Sequence, residues 1–438
     1  MKKVVKFGGS SLADAGQFMK AGAIVRSDES RVYVVPSAPG KRNSSDIKIT
    51  DLLYECYELA VKGQNFYEPF LAVKDRYNEI IQGLSLNLSL SEAFDAIEDK
   101  LLHDPEKDYT ASRGEYLNGL IMAAYLGCEF IDAADVIFFD ASGSFDAGMT
   151  YPVLSARLEE AGRAVVPGFY GLGKDGKIRT FSRGGSDITG SIVASACKAG
   201  VYENWTDVSG LLMADPHIIP GPALISSITY RELRELAYMG ASVMHEDAIF
   251  PVKNAGIPIN IRNTNSPGDN GTLIAATLPP DVKRGAVTGI AGRKGFSSIR
   301  VEKSQMNGET GFGARLLYIF SRNGIPFEHC PTGIDTISVV VNSLMFEAKR
   351  DEILRGIKNE LAPDFITIEK GLAMIAVVGE GMVSVKGVAA KIFTALAGAG
   401  VNIRMIDQGS DEMNIIIGVD EADYEKSINA LYGAMIEH

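Results

Sequence analysis

Lys3-Val4-Val5-Lys6-Phe7-Gly8-Gly9-Ser10-Ser11 stands almost at the start of the chain, and the fold turns on how it is read. The apolar run forms a strand, a lysine sits near the strand's carboxyl end, and two glycines with two serines turn the chain at once. Glycines there let backbone N–H groups approach an anion without interference from a Cβ. Phe181-Ser182-Arg183-Gly184-Gly185-Ser186-Asp187 repeats this chemistry further along, ahead of a helix whose apolar face runs through Ile188, Ile192 and Ala196. Two such loops point to a nucleotide's phosphates held from two sides.

Around these loops, strand-like runs at 3–7, 32–36, 136–140, 164–166, 203–207 and 257–263 alternate with helical segments. Several runs are almost wholly apolar, as in a parallel sheet covered on both faces, so the first 265 residues read as an α/β sandwich. Asp14 and Gln17 have capping-box spacing at the start of the first helix. A chain of 438 residues exceeds what one core serves, which predicts two or three domains.

Past Gly295 the pattern becomes a repeat with an offset of 76 residues. Ile299-Arg300-Val301 matches Ile375-Ala376-Val377, Gly311 matches Gly387, Gly324-Ile325 matches Gly400-Val401, and Val339 with Val341 matches Ile415 with Ile417. The alignment needs no gap, so two copies of one small strand, helix, strand, strand module close the chain. Gly292 to Ser298 reads as the linker ahead of them.

Composition removes several classes. Hydrophobic residues make up 46% and charged residues 22%, an ordinary globular balance. A net charge of -12 argues against nucleic acid and anionic membrane surfaces. Cys56, Cys128, Cys197 and Cys330 are scattered, so neither a disulfide framework nor a zinc knuckle is indicated, and reduced thiols in a cytoplasmic protein are expected. Met1-Lys2-Lys3 runs into a strand and does not read as a signal peptide.

Among chemistry-bearing residues, Lys6 beside glycine N–H donors suits the charge of a transferring phosphoryl group, against the competing reading of a tight turn with a solvated lysine. Gly40-Lys41 looks like the tail of a Walker phosphate loop, but Arg42 follows where Ser or Thr is required, and that reading fails. Gly173 and Gly176 do not complete a dinucleotide fingerprint. Ser186 or Asp187 could cap the helix they open, and Glu115 reads as lying at a helix start, where it could serve the helix dipole. Arg183 has the fork to grip a carboxylate. Trp205-Thr206-Asp207 ends a strand at the sheet edge where nucleotides bind. His217 and His245 lack partners at metal-ligand spacing, and no nucleophile signature is present.

With these blocks assembled, the chain resembles the aspartate kinases of the amino acid kinase family, which carry a tandem pair of ACT regulatory domains. Lys6 to Ser11, Phe181 to Asp187, Trp205-Thr206-Asp207-Val208 and Gly240-Ala241 to His245 fall in that family's order and spacing. The resemblance implies a three-layer αβα sandwich over 1–292 followed by two ferredoxin-like βαββαβ ACT domains at 293–371 and 372–438, with the last strand free to pair with the first ACT domain. It implies transfer of the ATP γ-phosphoryl group to the side-chain carboxylate of L-aspartate, the first step toward lysine, threonine and methionine. Lys6 and Asp187 would be catalytic, with Gly8, Gly9 and Ser10 around the phosphates. Ser37, Thr50, Glu115, Arg183 and Ser186 would hold aspartate, Arg183 at its α-carboxylate and Glu115 near its amino group. Thr206, Asp207, Asn263 and Thr264 would lie at the nucleotide.

The same resemblance implies ATP with Mg2+ as cofactors, the metal held by phosphate oxygens and water without a protein cage. An end-product amino acid, lysine first and threonine second, would bind the ACT domains near Met306, Gly311, Glu328 and Thr332. A homodimer through the ACT domains is expected, with a tetramer as the larger alternative, and no dehydrogenase domain beyond His438. Leu212, His217 and Ser242 stand where the family usually has Tyr, Arg and Lys, which raises the question whether Lys253 takes over a cationic role. A catalytically silent amino acid sensor and a sibling kinase with another carboxylate acceptor are the alternatives.

Overall fold

The computed structural model describes residues 1–182, 184–241, 244, 246–278 and 285–436, with Glu246 described by its backbone alone. Two compact units emerge, one of Met1–Leu211, Ser226–Tyr230 and Val243–Pro279, the other of Leu212–Ile225, Arg231–Ser242 and Pro280–His438.

The strands of the first unit are β1 (Lys3–Phe7), β2 (Arg31–Pro36), β3 (Glu129–Phe130), β4 (Phe138–Phe139), β5 (Ala164–Val165), β6 (Tyr170–Gly173), β7 (Ile178–Thr180), β8 (Val201–Thr206), β9 (Ser227–Thr229), β10 (Ile259–Asn263) and β11 (Thr272–Ala275). Its main sheet has the order β3-β5-β2-β1-β8-β10-β11-β9, and β4, β6 and β7 form a small second sheet. Every neighbouring pair of the main sheet is parallel except β10 with β11. Helices α1 (Ala15–Arg26), α2 (Ile49–Val61), α3 (Tyr67–Gly83), α4 (Ser91–His103) and α5 (Lys107–Leu126) share one apolar cluster with Val5, Phe7, Val34 and Trp205. After the short α6 (Ala133–Val136), helices α7 (Ala147–Ala161) and α8 (Gly185–Ala196) pack together, and α8 packs on β1, β2 and β8.

Strand β1 leads through α1 to β2 on one side, while β8 lies on the other. The strand order therefore reverses at β1, the kind of switch point at which open α/β sheets bind ligands beyond their carboxyl ends. Register sharpens the picture: Phe7 pairs with both Pro36 and Trp205, and Asn263 with Thr206, so β2, β1, β8 and β10 end level.

Two sequence expectations change here. Residues 136–140 are not one strand, because Asp132 caps α6 by accepting the Ala134 N–H at 3.0 Å and only Phe138–Phe139 are extended. The expected linker at 292–298 lies instead inside a continuous strand of the second unit, described next.

That unit carries α9 (Tyr230–Tyr238) after Tyr230, with β12 (Gly289–Glu302), α11 (Phe312–Arg322), β13 (Thr336–Asn342), α12 (Ser343–Leu361), β14 (Phe365–Val378), α13 (Val388–Gly398), β15 (Ile403–Asp407), β16 (Asn414–Asp420) and α14 (Tyr424–Met435). In the first unit, α10 is Glu246–Asn254. The five strands form one sheet, β13-β12-β14-β16-β15. Both long strands change partners halfway. Residues 296–302 of β12 pair with β13 and with 365–372 of β14, over a core of Ile299, Phe312, Leu316 and Ile357. Residues 289–293 pair with 374–378, and Ile290 joins the core of Ile375, Ile392, Ile417 and Leu431.

The second module thus draws a strand from ahead of the first. Among the described residues no strand follows α14, and 289–293 occupies the place next to β14 where the closing strand of a βαββαβ module belongs. Gly295, at φ 93°, marks the irregularity where β12 passes from one module to the other, which explains glycines and basic residues that look like a linker. Ala214 and Ile219 are buried in the second module's core, so the expected bound at 292 does not divide the cores cleanly. The repeat itself is visible in the helix starts: Gly311 and Gly387 occupy equivalent N-caps at φ 79° and 88°.

Candidate active site

The level ends of β2, β1, β8 and β10 bring the predicted residues together from distant parts of the chain. Lys6 is buried and its Nζ stands 2.6 Å from Asp187 Oδ1. That same oxygen accepts Asn204 Nδ2 at 3.0 Å. Asn204 pairs in register with Lys6 on the adjacent strand, a relation the sequence does not announce. Neither Ser186 nor Asp187 caps α8. Gly184, left-handed at φ 58°, takes the N-cap without a side-chain bond, which frees Asp187 for the lysine.

The loop after β1 is fixed by its backbone. Gly8 N–H donates to Trp205 O at 2.9 Å, Ser11 N–H to Gly8 O at 3.0 Å, and Gly40 N–H to Gly9 O at 2.8 Å. A Cβ on Gly9 would lie 2.9 Å from Ala38 O, so only glycine fits there. Ser10 lies in the turn between them, and Thr264 is buried with its hydroxyl donating to Ser11 Oγ at 2.8 Å. Thr264 N–H donates to Thr206 O at 2.9 Å, Asn263 Nδ2 to Ser209 Oγ at 3.1 Å and Ser209 Oγ to Asp269 at 2.6 Å. Asp207 is exposed beside Thr206, whose hydroxyl it accepts at 3.1 Å. The residues expected at the nucleotide therefore sit on two bonded loops.

Glu115 is not at a helix start, since α5 begins at Lys107 and Glu115 lies in its middle. The carboxylate is buried beside Ser186, whose hydroxyl approaches Oε1 at 3.5 Å, while Oε2 finds no partner among the described residues. Burial pushes this carboxyl up to about 7, against the opposing pull of the Ala38 N–H, the Ser186 hydroxyl and the Lys6 charge. Close approach of Ser186 depends on Gly168, where a Cβ would lie 2.6 Å from Ser186 Cβ. Ser37 follows β2, its N–H donating to Phe7 O at 3.0 Å and its carbonyl accepting Asn118 Nδ2 at 2.6 Å. Asn118, like Asn204, is a residue of the candidate site missed by sequence reasoning. Thr50 is half-buried in the first turn of α2.

Arg183, Ser242 and His245 lie outside the described residues. Lys253 is exposed in the last turn of α10. No group of three or more His, Cys, Asp or Glu side chains among the described residues could hold a metal ion, and no described helix is long and apolar enough to cross a membrane.

In the second unit the expected effector residues fall at two places. Residues 328–332 run antiparallel beside β13, with His329 bridging Val340 and Thr332 bridging Ile337. Met306, buried, and Gly311 lie near the Thr332 end, where Asn307 N–H donates to Ile334 O at 3.1 Å. Glu328 stands at the opposite end, bonded to Tyr238 and 3.6 Å from Arg293. His329 reaches Asp407 at 2.7 Å. A cavity of about 310 Å³ lies on this sheet, its lining including Arg300, Glu369 and Arg404.

Comparison with known proteins bears on the family and the fold. The amino acid kinase family model matches residues 1–263 and an ACT domain model matches 375–435. Aspartokinase 3 of Bacillus subtilis is 40% identical over 98% of this chain and 98% of its own. The crystal structure of aspartate kinase from Clostridium acetobutylicum superposes with a TM-score of 0.90 at 49% identity, covering 99% of this chain and 100% of that one. E. coli aspartokinase III, solved with aspartate and ADP, shares the fold at a TM-score of 0.72 and 23% identity over 99% of this chain and 100% of that one.

Proposed function

The chain belongs to the amino acid kinase family and is an aspartate kinase, and from that premise we propose how its residues share the transfer of the ATP γ-phosphoryl group to the side-chain carboxylate of L-aspartate. The carboxylate oxygen bonds to the γ-phosphorus, the bond to the bridging oxygen breaks, and its electron pair leaves with ADP. The product is 4-phospho-L-aspartate. No proton needs to move at the reacting atoms.

Lys6 stabilises the charge on the transferring group, which dominates this kind of chemistry. Asp187 and Asn204 hold the Lys6 ammonium at the strand end, while Gly8, Gly9 and Ser10 present the phosphate loop. Thr206, Asp207, Asn263 and Thr264 border the nucleotide. Ser37, Thr50, Glu115, Arg183 and Ser186 hold aspartate, with Glu115 at its ammonium and Arg183 at its α-carboxylate.

The observation that carries this reading is the unpartnered Oε2 of buried Glu115 beside Ser186. A buried carboxylate oxygen without a donor is costly, and a substrate ammonium would satisfy it. Magnesium fits as a guest of the nucleotide: it keeps waters and phosphate oxygens as ligands, and exposed Asp207 is the carboxylate that would face it. Bound there, it would neutralise phosphate charge.

Two ACT modules support feedback control by an end-product amino acid at the second unit, with lysine as the first effector and threonine the second. Met306, Gly311, Glu328 and Thr332 are the residues for it, and Glu328 would enter only by leaving Tyr238 and Arg293. A homodimer through these modules completes the proposal, with a tetramer as its larger form. ADP release measured with L-aspartate, L-glutamate and no acceptor, then with added lysine or threonine, tests it. Turnover dependent on aspartate and lowered by lysine is expected. Equal turnover with all acceptors would overturn the substrate assignment.

A further inference from the structure

Gly40-Lys41 fails as a Walker motif, yet the fold brings it to the phosphate loop by another route. The segment after β2 passes Glu115 at Ala38 and then meets the loop after β1 at Gly40. Contact there is as close as backbones allow: a Cβ on Gly40 would lie 2.6 Å from Gly9 C and 2.7 Å from Ser10 N. Both residues flanking Lys41 are pinned. Gly40 donates its N–H to Gly9 O at 2.8 Å and accepts Arg76 Nη1 on its carbonyl at 3.1 Å. Arg42 donates its N–H to Asp46 at 2.9 Å and its Nε at 3.0 Å.

One buried guanidinium organises the whole segment. Arg76, 5% exposed, also bonds both oxygens of Asp46, at 2.8 and 2.7 Å. Burial alone would raise the Asp46 carboxyl, but Arg42 and Arg76 hold it well below the usual carboxylate range. Ile49 N–H donates to Pro39 O at 3.4 Å and closes the base of the loop. Lys41 thus has a fixed backbone and an exposed side chain, and among the described residues it makes no ion pair.

The electrostatics of the site call for such a group. Lys6 is already paired with Asp187, and its charge also acts on buried Glu115. The nucleotide's terminal phosphate and the acceptor carboxylate bring further negative charge together there. We propose that Lys41 is a further catalytic residue, a second ammonium that closes on the γ-phosphate of bound ATP and follows its charge through the transfer. The Arg76–Asp46–Arg42 clamp positions it, because a lysine pre-placed by its backbone loses little more than side-chain freedom on closing. This assignment rests on the kinase reading above.

Calorimetric titration of ATP and of ADP separates the two. Lys41→Ala is expected to weaken ATP binding about 10-fold while leaving ADP binding unchanged, and to lower kcat by about 100-fold, the scale for losing one transition-state donor. Lys41→Arg should recover part of both, and Lys62→Ala, at another exposed lysine at the end of α2, should change neither. Asp46→Asn should weaken ATP binding in the same direction, and add little in combination with Lys41→Ala. Equal losses for ATP and ADP, or no loss, would overturn the proposal. The ATP-to-ADP affinity ratio is readable even if the wild-type chain turned over no aspartate, so failure of the kinase reading would be seen separately.

Discussion

Lys6 Nζ stands 2.6 Å from Asp187 Oδ1, and Asn204 Nδ2 reaches the same oxygen at 3.0 Å. Three residues from β1, α8 and β8 thereby fix one ammonium at the point where the strand order reverses. Removing the anion should cost catalysis more than folding. Asp187→Asn is expected to lower kcat by about 100-fold with an unchanged circular dichroism spectrum, and Lys6→Met by at least as much. Retention of most activity in either variant would remove the pair from the reaction.

Glu115 carries a pH dependence whose sign follows from its burial. Its carboxyl ionises near 4.5 in open water and near 7 in the folded chain. Between those values the native state binds more protons than the unfolded one, so this group lowers stability as pH rises, fully above about pH 7. At about 1.4 kcal/mol per unit the cost is a few kcal/mol. Glu115→Gln should therefore melt a few degrees higher than wild type at pH 8 and at the same temperature at pH 4.5.

In the proposed arrangement the same ionisation governs the substrate. An ammonium is held by the charged carboxylate, so the KM for aspartate should fall as pH rises through about 7. Glu115→Gln should raise the KM and flatten its pH profile. A profile unchanged by the substitution would place the titrating group elsewhere.

Backbone contact between the loops at Gly9 and Gly40 predicts a further sensitivity. Gly40→Ala forces a Cβ into the backbone of Gly9 and Ser10, and overpacking of this kind costs about 1–3 kcal/mol. Chemical denaturation should show that loss together with weaker ATP binding. Gly63→Ala is a poor comparison because Gly63 is left-handed at φ 65°, whereas Gly268→Ala has open space for its Cβ and should cost far less.

The shared sheet of the second unit makes a directional prediction. Ile290 lies ahead of the first module but in the core of the second. Ile290→Asp buries a charge there, so hydrogen exchange should quicken in α13 and α14 while α11 and α12 keep their protection. Loss of protection confined to α11 and α12 would contradict the strand exchange.

Much of this was legible in the residues. Glycine loops with a lysine and an aspartate nearby mark chemistry because few other uses require those residue types together, and Gly311 and Gly387 mark a repeat because both need a left-handed backbone. Other features depend on pairing that no local pattern records. Asn204 faces the lysine only through the register of β1 with β8. Glu115 looks like a helix-start residue only if the helix is begun too late, and Gly292 to Ser298 looks like a linker because a strand that changes partners needs the same glycine a linker would. Asp187 resembles a cap until Gly184 is seen to occupy that place.

The most direct measurement follows labelled phosphate from the γ-position of ATP to L-aspartate, trapping the acyl phosphate with hydroxylamine, in the wild-type chain and in Lys6→Met. Aspartyl hydroxamate, formed with one labelled inorganic phosphate released for each molecule, is expected only when L-aspartate and wild-type protein are both present. Transfer to aspartate undiminished in Lys6→Met, or no transfer to aspartate by the wild-type chain, would contradict the account.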